Sequence, residues 1–244
     1  MVVRDAGLDA VDAAKQAVRE RVWQALRDAG AARFPGARGR IPNFTGAEAA
    51  ARLLDEQDWW RSARTVKANP DSPQLPVRAA VLDRGALLYV AVPELREPRP
   101  FVRLEPAGLP VPPKRAAAKD RALELGTPVA VAELDRLDVV VCGTVAVDRR
   151  GARIGKGGGF ADLEFGLLVE AGLVDERTTI ATTVHPLQVL DEELPETEHD
   201  FRVDVIVTPD EVLRTPEPRR GPGILWHHLD EGKIRAIPAL AERR

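Results

Sequence analysis

The run Asp138-Val139-Val140-Val141-Cys142-Gly143-Thr144-Val145-Ala146-Val147 leads into Asp148-Arg149-Arg150-Gly151-Ala152-Arg153-Ile154-Gly155-Lys156-Gly157-Gly158-Gly159 and then into a helical run, Phe160 to Ala171. Residues 138–147 are the most apolar of the chain and rich in β-branched side chains, which predicts a central strand covered on both faces. Strand, glycine-rich turn and helix in that order make one unit of an alternating α/β chain. Outward from it, further β-like runs occur at Thr65 to Ala68, Val77 to Leu82, Ala86 to Val92, Phe101 to Leu104, Thr178 to Val184 and Val203 to Thr208. Helical spacing marks about 9–29 (Val11, Ala14, Val18, Val22, Ala25, Leu26) and about 114–125. Thr45-Gly46-Ala47-Glu48 reads as a capping box that opens another helix through about Gln57. Alternation of this kind predicts an α/β fold with three layers, a mostly parallel central sheet between two layers of helices.

The length of 244 residues fits one α/β domain, expected over 1–244, with a Pro- and Arg-rich tail from about 209 that wraps the surface. Thirty-five basic against 38 acidic residues give a net charge of −3 with no basic block, so the electrostatic footprint of a nucleic-acid binder is missing. No apolar run approaches the ~20 residues that span a bilayer, and the first residues lack the apolar core of a secretory signal. A cytoplasmic protein without a membrane partner is expected. The single Cys142 lies in an apolar run, where a small buried hydrophobe is the favoured reading over a nucleophile. Composition does not address oligomeric state.

Chemistry is best placed at the glycine-rich loop. Glycines let backbone N–H groups approach a phosphate, and the following helix start adds partial positive charge. The spacing Gly155-x-Gly157-x-Gly159 is neither a dinucleotide fingerprint nor a Walker A loop, so a tight structural turn is an equal reading of the pattern alone. Arg153 and Lys156 tilt it toward an anion. Asp162, in the first helical turn, reads either as a complement to the helix dipole or as a magnesium ligand, the former being favoured by bare sequence. Lys15 and Arg19 lie four apart on one helical face; they suit a polyanion, although a solvated charged face is the commoner meaning of such a pair. The histidines His185, His199, His227 and His228 show no zinc-like spacing, and the adjacent pair is expected to point in different directions. His185 reads as a structural histidine at a strand end.

Arg153-Ile154-Gly155-Lys156-Gly157-Gly158-Gly159-Phe160-Ala161-Asp162 resembles the nucleotide-binding signature of the 5-formyltetrahydrofolate cyclo-ligase (methenyltetrahydrofolate synthetase) family, whose usual form is Arg-x-Gly-x-Gly-Lys-Gly-Tyr-Tyr-Asp. Lys15-Gln16-Ala17-Val18-Arg19 is similar to its amino-terminal Lys-x-x-Leu-Arg, and Val203-Asp204-Val205-Ile206-Val207-Thr208 to its late Val-Asp strand. Gly39 to Phe44, Thr65-Val66-Lys67, Asn69-Pro70-Asp71, Pro76-Val77-Arg78 and His199-Asp200 further resemble the branch of methenyltetrahydrofolate synthase domain-containing proteins. The likeness implies a fold of the sugar-isomerase/CoA-transferase type, ATP and Mg2+ as cofactors, and conversion of 5-formyltetrahydrofolate to 5,10-methenyltetrahydrofolate. It implies Lys15, Arg19 and the 153–160 loop (Arg153, Gly155, Lys156, Gly157, Gly158, Gly159, Phe160) as the nucleotide site. Lys156 and Arg153 become the catalytic cations, and Asp162 and Asp204 the metal ligands. Departures from the pattern are Gly158 in place of the loop lysine and Phe160 and Ala161 in place of the two tyrosines; Lys67 is expected to point into the pocket as a substitute cation. A related enzyme acting on a non-folate amide-like substrate, or a non-catalytic nucleotide- or folate-binding module, is the alternative.

Overall fold

In the computed structural model, residues 6–244 are described; the first five of the expected 1–244 span lie outside them. The elements run α1 (Ala6–Asp28), α2 (Ala47–Asp55), α3 (Asp58–Ser62), β1 (Thr65–Ala68), α4 (Leu75–Asp83), β2 (Leu87–Ala91), β3 (Phe101–Leu104), α5 (Pro113–Ala116), α6 (Lys119–Leu125), β4 (Thr127–Val129) and β5 (Val139–Cys142). They continue with β6 (Ala146–Asp148), β7 (Arg153–Ile154), α7 (Phe160–Glu170), β8 (Thr179–Thr183), β9 (Val189–Leu190), β10 (Val205–Val207), β11 (Val212–Arg214), α8 (Glu231–Ala236) and α9 (Pro238–Ala241). Eight strands form one sheet in the order β11-β10-β8-β5-β1-β2-β3-β4. The five inner strands, β10 through β2, are parallel, and β11, β3 and β4 close the two edges antiparallel.

Alternation along the strands builds the layers. Val139 and Val141 face a cluster with Leu54, Trp60, Val77 and Val81, from α2, α3 and α4. Val140 and Cys142 face the opposite one, with Leu163, Leu167 and Leu168 of α7. All four residues of β5 are therefore buried, as a central parallel strand requires. A second sheet, β7-β6-β9, packs with α1 in a separate cluster containing Val22, Leu26, Val145 and Ile154. The mixed α/β fold with a largely parallel sheet agrees with the expectation.

Several local expectations need correction. Residues 138–147 are two strands in two sheets, because the chain turns at Gly143, where a Cβ would come within 3.0 Å of both Asp71 and Ile41. Val77 to Leu82 is helical: Val77 and Val81, four apart, bury one face of α4, and Pro76 sits harmlessly in its first turn. The expected helix at 114–125 is broken at Ala118, and the Ala117 carbonyl accepts from Arg78 Nε at 2.9 Å. No capping box forms at α2; its cap is Gly46 with φ +97°, seated where a Cβ would meet Pro209 Cγ at 2.5 Å. The stretch after 209 is no surface wrap: β11 extends the main sheet, and Ile224, Ile234, Ile237 and Leu240 enter the core beside α7.

Candidate functional site

A cavity of about 900 Å3 lies at the carboxyl ends of β1, β2 and β5, lined there by Asn69, Val92 and Gly143. Parallel α/β sheets place ligands at this end. Its other wall is the turn between β7 and α7. Gly157 (φ +102°) and Gly159 (φ +69°) adopt left-handed backbone, which lets five residues fold back between strand and helix. No side chain caps the start of α7, and its first turn, Phe160 to Asp162, lines the cavity with Gly157 to Gly159, an arrangement suited to an anion.

Cations converge on this turn from three elements. Arg19 of α1 donates from Nε to the Gly155 carbonyl at 2.7 Å and lies over Gly157. Lys15, one helical turn earlier, ion-pairs with Asp200 at 2.6 Å while Thr197 donates to the same carboxylate from its N–H and hydroxyl. Both are buried, so this face of α1 is not a solvated charged one. Arg153, 3% exposed, ion-pairs with Asp162 at 2.9 Å and sits 4.5 Å over the Phe201 ring, which stacks on Phe165. Burial alone would lower the pKa of Arg153, but the groups around it, Asp162 foremost and Asp200 among them, together outweigh burial and hold the guanidinium more firmly protonated. Burial would raise the carboxyl of Asp200; Lys15 and Thr197 outweigh that and hold it below its ordinary range. Burial lowers the pKa of Arg19. Lys156 lines the opening, half-exposed, with its Nζ 3.4 Å from the Asp71 carboxylate.

The two expected metal ligands are not brought together. Asp162 lines the cavity, whereas Asp204 precedes β10, accepts the Ile180 N–H at 2.7 Å and pairs with Arg220 at 2.8 Å, beside the start of β8. Asp204 is thus a structural anchor at the amino ends of the strands, and the metal expectation for it is withdrawn. Asp162 alone still suits Mg2+, which keeps most of its waters and needs one or two carboxylates besides phosphate oxygens. Lys67 is not in the pocket either. It is 2% exposed behind the cavity wall, ion-paired with Glu164 of α7 and 3.1 Å from Asn69 Oδ1.

Sequence reasoning missed three participants. Arg78, 1% exposed, donates to the Asn69 and Asp71 carbonyls and so shapes the wall after β1; burial lowers its pKa to about 10, still cationic at neutral pH. Asp200 fixes Lys15. Lys233 of α8 donates to the Gly158 carbonyl at 2.9 Å and lies 5.2 Å from the Phe160 ring centre. The Pro76-Val77-Arg78 and His199-Asp200 matches were a usable signal for the first two; nothing near position 158 points to a lysine 75 residues away. Cys142 is a buried, free thiol whose pKa burial raises, in line with a packing role.

The model of the 5-formyltetrahydrofolate cyclo-ligase family matches residues 11–209. The methenyltetrahydrofolate synthase domain-containing proteins of mouse and human are 38% and 37% identical over 242 and 246 residues, covering 94% and 96% of this chain. The chain spans only 63% and 62% of those relatives' own lengths. Among solved structures, the 5,10-methenyltetrahydrofolate synthetase of Aquifex aeolicus superposes with a TM-score of 0.52 at 22% identity, covering 88% of this chain and 99% of that one. At that identity the likeness concerns the fold.

Proposed function

The chain belongs to the 5-formyltetrahydrofolate cyclo-ligase family, and from that premise we propose that it binds ATP with Mg2+ and closes 5-formyltetrahydrofolate to 5,10-methenyltetrahydrofolate, releasing ADP and phosphate. The observation that carries this reading is the meeting of Lys15, Arg19, Arg153 and the uncapped start of α7 on one wall of the cavity. Three cations and a row of backbone N–H groups match a triphosphate better than any neutral ligand.

In the proposed reaction the formyl oxygen attacks the γ-phosphorus and the bond to ADP breaks. N10 then attacks the formyl carbon, the C–O bond to phosphate breaks, and the N10 proton leaves with the phosphate. The chain needs no covalent nucleophile for this; it has to position and neutralise. Arg153, locked by Asp162 and Phe201, is suited to the transferred group, and Arg19, anchored on Gly155, holds the turn closed over it. Lys156 closes from the mouth. Asp162 is the residue that would hold Mg2+, which when bound would supply charge neutralisation at the leaving group.

Mixing the protein with 5-formyltetrahydrofolate, ATP and Mg2+ should give the absorbance of the methenyl product, with Asp162→Asn at least about 100-fold slower, the usual cost of removing a transition-state electrostatic group. ATP binding without product would point to a different amide-like substrate in the same cavity. No binding of ATP would overturn the proposal.

A further inference from the structure

Three of the chain's four histidines meet at one point that the proposed reaction does not use. His227 and His228 lie in a single turn of 3-10 helix, Trp226–His228, and their rings stand 4.3 Å apart at 65° rather than pointing away from each other. The turn packs against the segment that carries Glu198 and His199. One carboxylate oxygen of Glu198 and one nitrogen each of His227 and His228 all lie within 4.8 Å of one another. His199 Nδ1 is 2.9 Å from His228 Nδ1, and the far nitrogen of His199 is 3.0 Å from the Thr197 hydroxyl.

We propose that Glu198, His227 and His228, with His199 beside them, bind one divalent ion of the zinc class. Two ring nitrogens facing each other at 2.9 Å share a single proton. A Lewis acid replaces that proton with little movement, since nitrogens on a tetrahedral zinc stand about 3.3 Å apart given Zn–N bonds of about 2.0–2.1 Å. Imidazole-rich donors with one carboxylate select zinc, nickel or copper over magnesium or calcium, which take oxygen. The site is therefore chemically separate from Asp162. Thr197 holds His199 through its far nitrogen, an outer-shell contact that fixes ring orientation.

Its position gives the ion a consequence. His199 and Asp200 line the cavity, and the histidine turn directly precedes α8, which carries Lys233 to the Gly158 carbonyl. A bound ion would fasten the carboxy-terminal segment to the rim of the cavity.

The test is calorimetric titration of tag-free protein with Zn2+ in the presence of excess Mg2+, with Co2+ as a visible reporter. The expected result is one ion per chain with micromolar affinity, d–d bands for Co2+ and a rise in Tm. His227→Ala and His228→Ala should each weaken binding about tenfold or more, and His185→Ala, whose ring lies beside Phe44, should leave it unchanged. Uptake that survives the His227→Ala/His228→Ala double variant, displacement by Mg2+, or no uptake by the wild-type chain would each overturn the proposal. Circular dichroism of each variant separates lost binding from lost folding.

Discussion

Lys67 and Glu164 carry opposite charges into the interior behind the cavity, with side-chain exposures of 3% and 7%. Pairs so deeply buried contribute little net stability, because desolvation cancels most of the attraction, yet removing one partner strands the other. Glu164→Gln or Lys67→Met alone should cost about 3–5 kcal/mol in urea denaturation, whereas Lys67→Met/Glu164→Leu should recover most of it. Equal losses in the single and double variants would show that packing rather than charge sets the cost. The Lys15–Asp200 pair differs in being readable through pH. Asp200 has a depressed folded pKa, so its contribution is complete above the unfolded value of about 3.9 and disappears as pH falls through the folded one. The stability gap between wild type and Asp200→Asn should hold from neutral pH to about 5 and narrow only below about 4. A gap that closes near pH 6 would assign the effect to another group.

At the scale of elements, the turn from β7 to α7 was legible because its glycines, its flanking Arg153 and its apolar helix stand contiguously in the chain. What holds the turn was not. Arg19 and Lys233 reach it from α1 and α8, at sequence separations of 136 and 75 residues, and local pattern carries no trace of such contacts. The segment of α4 reads as a strand in the sequence for a related reason: a short apolar run has no clear period of its own, and packing on the sheet decides its conformation. Two substitutions examine the turn. Gly157→Ala places a side chain at φ +102°, a strain of about 1–3 kcal/mol that should appear as weaker nucleotide binding with the fold intact. Lys233→Ala removes a charged hydrogen bond worth about 1–2 kcal/mol and should raise the ATP Kd about 5–30-fold. Lys233→Arg should recover part of that loss. Unchanged ATP binding in both would show that α8 is a bystander to the turn.

The whole molecule depends on a stretch whose composition points to the surface. Beyond 209, where the family match ends, the sequence is rich in proline and arginine, and no long periodic run announces a core element. The apolar residues there fall in short groups separated by charged residues and proline, and the three-residue spacing of Ile234, Ile237 and Leu240 is interrupted by Pro238, so their burial follows from the shape of α7 and the sheet edge more than from a long pattern of their own. Ile224, Ile234, Ile237 and Leu240 are each no more than 7% exposed in the cluster that covers one face of the sheet. Each such side chain contributes about 1.5–3 kcal/mol on burial, so four of them reach about 6–12 kcal/mol, comparable to the whole stability of a domain at about 5–15 kcal/mol. Arg220 adds a clasp on Asp204 at 2.8 Å. Ending the chain at Pro209 should therefore abolish the cooperative urea transition and leave a species without near-ultraviolet dichroism, even though nearly every residue expected to touch nucleotide is retained. Ile237→Ala/Leu240→Ala in the full chain should lower stability by about 4–10 kcal/mol, the cost of two buried truncations. If the shortened chain instead unfolds cooperatively at the midpoint of the full chain, α8 and α9 pack on a core that is already complete without them.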